Sequence, residues 1–352
     1  MIPEPASETI PVRPGERFDE GALAGFLDGR LPGAGHPLTV RQFGGGAANL
    51  TYELDFGEFV YVLRRPPLGP IAPRSHDMGR EHTVLSRLHE QYRPAPRSHL
   101  FCRDESVIGA PFLVMERRYG LVVRRSMPEA YAGRPEADRL LGEALVEGLA
   151  SLHNVDYSAL GLDALGRPSG FIERQVAGWF GRWERAKSEE VAAMDRVHAW
   201  LEDNLPPDGP AALIHNDYKL DNSMFAAEDP SRLVAVFDWD MATLGDPLSD
   251  LGTLLTYWVD DDDPEEVRAF SPMPRDVVGF PSRQQLVESY SRLSGRDLSE
   301  VGFYHVLGLY RLAVILAQIY IRWVRGQTAD ERFSGLGDLV KLIAARAADL
   351  AR

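Results

Sequence analysis

Cysteine is nearly missing from this chain: Cys102 is the only one in 352 residues. No internal disulfide can form, and a lone thiol of this kind is usually a small core residue in a reducing compartment, so a cytoplasmic protein is expected. Basic excess is missing too. The formal net charge of −14 weighs against nucleic acid and anionic membranes as partners, since each requires a basic patch that outweighs the overall repulsion. The opening residues, Met1-Ile-Pro-Glu-Pro, show neither the charged nor the apolar region of a signal peptide, so none is expected. Long apolar runs are scarce as well. The longest, Val301 to Val324, is interrupted by His305, Arg311 and Arg322, which leaves too short an apolar stretch to span a bilayer and predicts a buried helix. Internal repeats and low-complexity tracts do not occur.

What is present suffices for a large core. With 44% hydrophobic residues and a length beyond what one compact core usually holds, two lobes are expected. The most informative stretch runs from Ala211 to Asp250. Ala212 to Ile214 is a short apolar run ending in His215, and Leu233 to Phe237 is another ending in Asp238. Both therefore set polar residues where a buried strand stops. Asp217, Lys219 and Asn222 share the first turn, and Asp238 occupies the second.

Phosphoryl transfer calls for such a set, because the protein's task there is to position the transferred group and neutralise its charge. Asp217 can accept the proton of an attacking hydroxyl, and Lys219 can reach the phosphate in transfer. Asn222 and Asp238 can supply oxygen ligands to magnesium, a hard cation that prefers them. The spacing matches the kinase catalytic loop His-x-Asp-x-Lys-x-x-Asn. Two ordinary strand ends with polar turns would explain either motif alone, but far less readily both in this order.

Taken together, Tyr61-Val-Leu-Arg-Arg-Pro-Pro, His215-Asn-Asp-Tyr-Lys-Leu-Asp-Asn and Asp238-Trp-Asp-Met-Ala-Thr-Leu-Gly-Asp-Pro resemble the aminoglycoside phosphotransferase family. The likeness is nearest to the branch found as the kinase-like domain of some acyl-CoA dehydrogenase family members, and it covers nearly the whole chain. It implies an α+β, bilobal protein-kinase-like fold. A small antiparallel-sheet lobe, residues 1–118, would bind nucleotide. A larger, mostly helical lobe, residues 119–352, would carry the catalytic loop, the metal site and a helical substrate-binding subdomain.

Earlier segments fit this scheme. Asp19 caps an expected short helix to about Asp28. Leu38 to Phe43 and Leu50 to Leu54 flank Gly44-Gly-Gly-Ala-Ala-Asn, where Gly45, Gly46 and Asn49 would let backbone amides approach a phosphate. A plain hairpin turn fits the same residues. Val60, Val62 and Arg64 share one strand face, which would point Arg64 into the cleft below that hairpin. Kinases normally carry lysine there, but an arginine fork can also bind phosphate or carboxylate. Glu81 lies within the helical stripe Met78, Leu85, Leu88 and Tyr92, and pairing with Arg64 would reproduce the ion pair of active kinases. An exposed edge arginine and a solvent-reaching glutamate are the plainer readings. By the resemblance, Met115 would line the adenine pocket, and backbone groups around Glu116 to Arg118 would hydrogen-bond the base.

Further on, a helix from Pro135 to about His153 presents Leu141, Leu145, Leu149 and Leu152, and a helical pair is expected over Phe171 to Ala186 and Val191 to Leu205. Asp246 and Pro247 suit a helix start. The resemblance makes Asp250 the residue that holds the catalytic loop's backbone and leaves open a second-metal contact for Asp240. The run Asp260 to Asp263 reads as a solvated loop.

The expected function is ATP- and magnesium-dependent transfer of the γ-phosphoryl group to a hydroxyl of a small molecule. A hydroxy acid or hydroxyacyl-CoA ranks ahead of an aminoglycoside, because the branch is the one associated with acyl-CoA dehydrogenases. A protein kinase is the nearest alternative, but only twelve positions separate Asp238 from Asp250, too few for a regulated activation loop. A catalytically silent nucleotide-binding module is a further alternative. A metallohydrolase on His215, Asp217 and Asp238 would require more histidines than these turns supply.

Overall fold

Alternating apolar residues in the first third of the chain build an antiparallel sheet. The computed structural model describes residues 8–44, 49–68, 77–260, 263–274, 279–328 and 330–351. They form two compact units: residues Met1–Tyr119 with Val234–Ala242, and Gly120–Leu233 with Thr243–Arg352. The segment Val234–Ala242, and with it Asp238, thus belongs with the first unit rather than with the residues 119–352 to which the sequence reading assigned it.

In the first unit the elements run β1 (Thr9–Ile10), α1 (Glu20–Leu27), β2 (Thr39–Phe43), β3 (Leu50–Asp55), β4 (Val60–Arg65), α2 (Met78–Leu88), β5 (Ser98–Cys102) and β6 (Phe112–Glu116). The Asp19 carboxylate caps α1 by accepting from the Ala22 amide at 2.8 Å. Six strands form one sheet in the order β1-β2-β3-β4-β6-β5, so β4 is central and its register is set from both sides. Arg64 stands opposite Thr51 on one neighbour and Leu113 on the other. The expected helical stripe is cut short. Helix α2 ends at Leu88 and Tyr92 lies in the turns beyond it, though its ring is buried edge-on against Trp239, with centroids 6.1 Å apart. Cys102 is a free, buried thiol.

The second unit contains β7 (Leu121–Val122), α3 (Ala137–His153), α4 (Phe171–Ala186), α5 (Ala192–Asp203), β8 (Ala212–Ile214), β9 (Ser223–Ala226), β10 (Asp229–Val236, its last three residues in the first unit) and β11 (Thr243–Gly245). Helices α6 (Leu248–Tyr257), α7 (Glu265–Phe270), α8 (Arg283–Ser294), α9 (Val301–Val324) and α10 (Leu336–Leu350) follow. Helix α9 spans 24 residues with a mean hydropathy of 1.4 in its most apolar stretch, enough by length and composition to cross a membrane. Length is therefore not what decides its place, contrary to the sequence argument. Burial does: 67% of that stretch lies inside the protein.

Glycine lets α6 and α9 approach. A Cβ on Gly252 would overlap the Tyr304 carbonyl, and one on Gly308 would lie 2.7 Å from the Gly252 carbonyl oxygen. The acidic run after α6 is not simply solvated either. Asp263 is buried and accepts from Arg283 at 2.6 and 3.0 Å and from Arg346. Charge pairing therefore overrides the solvated-loop reading and ties α8 and α10 to that loop. Burial beside Arg283 and Arg346 pushes His305 down to about 3.

Candidate active site

Two groups of predicted residues are assembled, one in each unit. In the first unit Arg64 is buried at 6% exposure. It donates from Nη1 to Glu81 Oε1 at 2.5 Å and from Nη2 to Asp238 Oδ1 at 2.7 Å. The edge-arginine and solvent-glutamate readings therefore do not apply: Glu81 has no exposed surface. Its helix is started by Asp77, whose side chain accepts from the Arg80 amide at 3.0 Å. Burial pushes Glu81 up to about 7, against the attraction of Arg64. Arg64 is held above its ordinary range despite burial, because Glu81 and Asp238 both favour its charge.

The turn bearing Asp238 is fixed within the same unit. The Val236 amide donates to the Pro94 carbonyl at 2.8 Å, Trp239 Nε1 donates to the Val236 carbonyl at 2.7 Å, and Arg80 donates to the Ala242 carbonyl at 2.9 Å. Asp238 itself has φ of 71°, in the left-handed region that non-glycine residues rarely occupy. Asp and Asn tolerate it best, and strain of this kind concentrates at functional turns.

Other first-unit candidates are placed as follows. Gly45 and Gly46 lie outside the described residues. Asn49 is buried just before β3. Met115 is buried in β6 opposite Val62 and Ser98. Glu116 is engaged by its neighbours. Its amide donates to the Arg97 carbonyl at 2.8 Å, and its carboxylate accepts from the Arg97 amide at 3.1 Å and pairs with Arg118 at 2.9 Å.

In the second unit the candidate catalytic loop leaves the buried strand β8, which pairs antiparallel with β11 and puts His215 directly past Ile214. Lys219 Nζ lies 3.0 Å from both carboxylate oxygens of Asp217. Asn222 donates through Nδ2 to Asp217 Oδ2 at 2.8 Å and to the Asp217 carbonyl at 2.9 Å. Its carbonyl oxygen takes no part in these bonds. Burial opposes the charge on Lys219, but Asp217 and Asp221 outweigh it and hold the amine above its ordinary range. The ammonium also stands 4.9 Å from the centre of the Tyr257 ring.

The loop's backbone is gripped from beneath. Asp250, fully buried, accepts from the amide of His215 at 2.6 Å and from that of Asn216 at 2.7 Å. His153 Nε2 lies 3.2 Å from the same carboxylate. Burial would raise Asp250, but bonding to His153 and His215 holds it below its ordinary range, while burial keeps His153 below its own. Asn216 adopts φ of 67°. The Asp217 amide donates to His215 Nδ1 at 3.2 Å, and Tyr218 donates to the Leu145 carbonyl at 2.8 Å, anchoring the loop to α3. Asp246 accepts from the Leu248 amide at 2.9 Å and from the Tyr304 hydroxyl at 2.6 Å. Sequence reasoning missed two contributors. His153 looked only like the end of an apolar helix, and Arg311 only like an interruption of an apolar run, yet Arg311 donates to the Asn216 carbonyl at 3.0 Å. A charge midway along an otherwise apolar stretch was the available signal.

A model of the phosphotransferase enzyme family, APH, matches residues 39–275. The chain belongs to this family. Over its whole length this phosphotransferase family member is 34% identical to acyl-CoA dehydrogenase family member 11 of Gallus gallus, covering 46% of that protein. It thus spans about half the length of the curated relatives it matches. A crystal structure from Ralstonia eutropha, provisionally described as an aminoglycoside phosphotransferase, is 29% identical with a TM-score of 0.82, covering 95% of this chain and 98% of that one. A thermostable mutant of aminoglycoside phosphotransferase APH(4)-Ia, in ternary complex with AMP-PNP and hygromycin B, shares the fold at 15% identity and a TM-score of 0.57, over 94% and 98% of the two chains. The kinase-like fold expected from the sequence is therefore the observed one.

Proposed function

We propose that this phosphotransferase moves the γ-phosphoryl group of ATP to a hydroxyl of a small molecule. The observation that carries the reading is the Asp217 carboxylate, held by Lys219 and Asn222 on a loop whose backbone is fixed by Asp250. Asp217 takes the acceptor hydroxyl's proton as its oxygen bonds to the γ-phosphorus and the bond to the β-phosphate oxygen breaks. Lys219 keeps Asp217 in place and adds positive charge beside the transferred group.

Asn222 and Asp238 are assigned as the magnesium ligands. By donor type each residue suits the ion. Asn222 spends its amide hydrogens on Asp217 and leaves an oxygen, and the Asp238 side chain is 29% exposed. A small set of hard oxygens suffices for an ion that keeps water and phosphate in its shell. When bound, magnesium neutralises phosphate charge. Arg64, aligned by Glu81, is assigned to the phosphates, with Gly45, Gly46 and Asn49 beside them and Met115, Glu116 and Arg118 to the base. Because the Glu116 amide and side chain are engaged, contact with the base falls to neighbouring main-chain groups.

A hydroxy acid or hydroxyacyl-CoA ranks ahead of an aminoglycoside as acceptor. The support is the 34% identity to an acyl-CoA dehydrogenase family member. The test is magnesium-ATP consumption across a panel of aminoglycosides, hydroxy acids and hydroxyacyl-CoA compounds, with Asp217→Asn in parallel. Acceptor-dependent turnover that disappears in the variant supports the reading, and equal rates in the two proteins would overturn it.

A further inference from the structure

Arg311 sits in the middle of α9, 7% exposed, where a charge is costly unless it is paired. Its guanidinium donates from Nη2 to the Asn216 carbonyl at 3.0 Å and from Nη1 to Thr253 Oγ1 at 3.3 Å, and it lies 5.3 Å from the centre of the Trp179 ring. On the other side of the same residue, the Asn216 amide donates to Asp250 Oδ1 at 2.7 Å. Both main-chain groups of Asn216 are therefore held by buried side chains of opposite charge, a carboxylate on the N–H and a guanidinium on the C=O. Asn216 is also the residue with φ of 67° and directly precedes Asp217. A left-handed backbone at a non-glycine residue persists only where its surroundings over-determine it.

We infer that Arg311 is a positioning residue for phosphoryl transfer. With Asp250 it clamps the Asn216 peptide and so aims the Asp217 carboxylate. The arrangement depends on the close crossing of α6 and α9. Gly308, one turn before Arg311, lies against Gly252, next to Thr253. That approach lets one guanidinium reach both the threonine hydroxyl and the loop. Positive charge suits the task, because the donor to a strained carbonyl must stay protonated in a buried setting.

The inference rests on the proposed function for its kinetic part and stands apart from it in its structural part. The full chain is compared with Arg311→Met, Arg311→Lys and Thr253→Val. Amide hydrogen exchange is measured over residues 212–222, and magnesium-ATP turnover is measured with the best acceptor of the panel or, failing one, with water. In Arg311→Met, exchange at the Asn216 amide should accelerate about tenfold or more while the core helices stay protected. The kcat should fall on the order of 10- to 100-fold with KM for magnesium-ATP within about twofold, as expected when a reacting group is misplaced but binding is untouched. Lysine should restore part of kcat, and Thr253→Val should give a smaller change in the same direction. Unchanged exchange at Asn216 in the folded Arg311→Met protein would overturn the clamp. Accelerated exchange with kcat unchanged per folded molecule would overturn the positioning role. If the wild-type chain turns over nothing with any acceptor or water, the proposed function fails, and the exchange result alone supports or overturns the clamp.

Discussion

The two motif turns solve the same problem by different means. At Asp238 the carboxylate proposed to function is itself the held object, bonded directly by Arg64, whose other nitrogen is bound by Glu81. At Asp217 the buried charges bond the backbone of the preceding residues, and among the described residues the carboxylate is bonded by Lys219 and Asn222 of its own loop. The first arrangement links function and stability in one set of buried charges. The second separates them, since the groups that fix the loop are not the groups proposed to react.

The sharpest way to break the comparison is to remove the carboxylate proposed to react. Asp217→Asn should lower turnover on the order of 10²–10⁴-fold while leaving thermal stability nearly unchanged, because no buried charge of the clamp is lost. Glu81→Ala removes one of the two carboxylates that pair with buried Arg64 and should cost about 1.5–3 kcal/mol in chemical denaturation, as expected for losing a charged hydrogen bond while Asp238 remains. A stability loss from Asp217→Asn as large as that from Glu81→Ala would erase the distinction between the two turns.

How far these contrasts could be read in advance differs between the turns. Arg64, Glu81 and Asp238 were each identifiable, because strand alternation, a charge within an apolar stripe and a strand-end carboxylate are local patterns. The identity of the unit holding Asp238 was not, since nothing local marks Val234–Ala242 as part of the first unit. The loop residues Asp217, Lys219 and Asn222 were legible through spacing. The groups beneath them were less so: Arg311 reaches its target across 95 positions of sequence, and periodicity carries no information about such distant partners. Asp263 illustrates the same blindness, because acidic runs read as solvated until the arginines that bury them are placed.

Smaller effects sharpen the picture of the backbone clamp. Gly252→Ala places a methyl group against the Tyr304 carbonyl and should cost about 1–3 kcal/mol, the usual range for overpacking. If the clamp depends on this crossing, exchange at Asn216 should quicken in the same variant. Another effect concerns pH. His305 is held down to about 3, so between its ordinary value near 6.5 and that limit the unfolded chain binds a proton that the folded chain refuses. Stability should therefore fall as pH drops through this window. Replacing His305 by leucine should flatten that part of the profile in pH-dependent denaturation, and an unaltered slope would remove His305 as its source.

The return of Val234–Ala242 to the first unit has a consequence for how the chain is born. A ribosome releases the sheet-bearing residues long before it releases Asp238, so for much of synthesis Arg64 faces one of its two carboxylates alone. The first unit can close its charge network only after most of the second unit's early helices have emerged. A fragment ending at Tyr119 would preserve every strand of the six-stranded sheet and still lack the segment that completes it, so the heredity of the two units is bound together: neither can be exchanged for a relative's by a single cut in the gene.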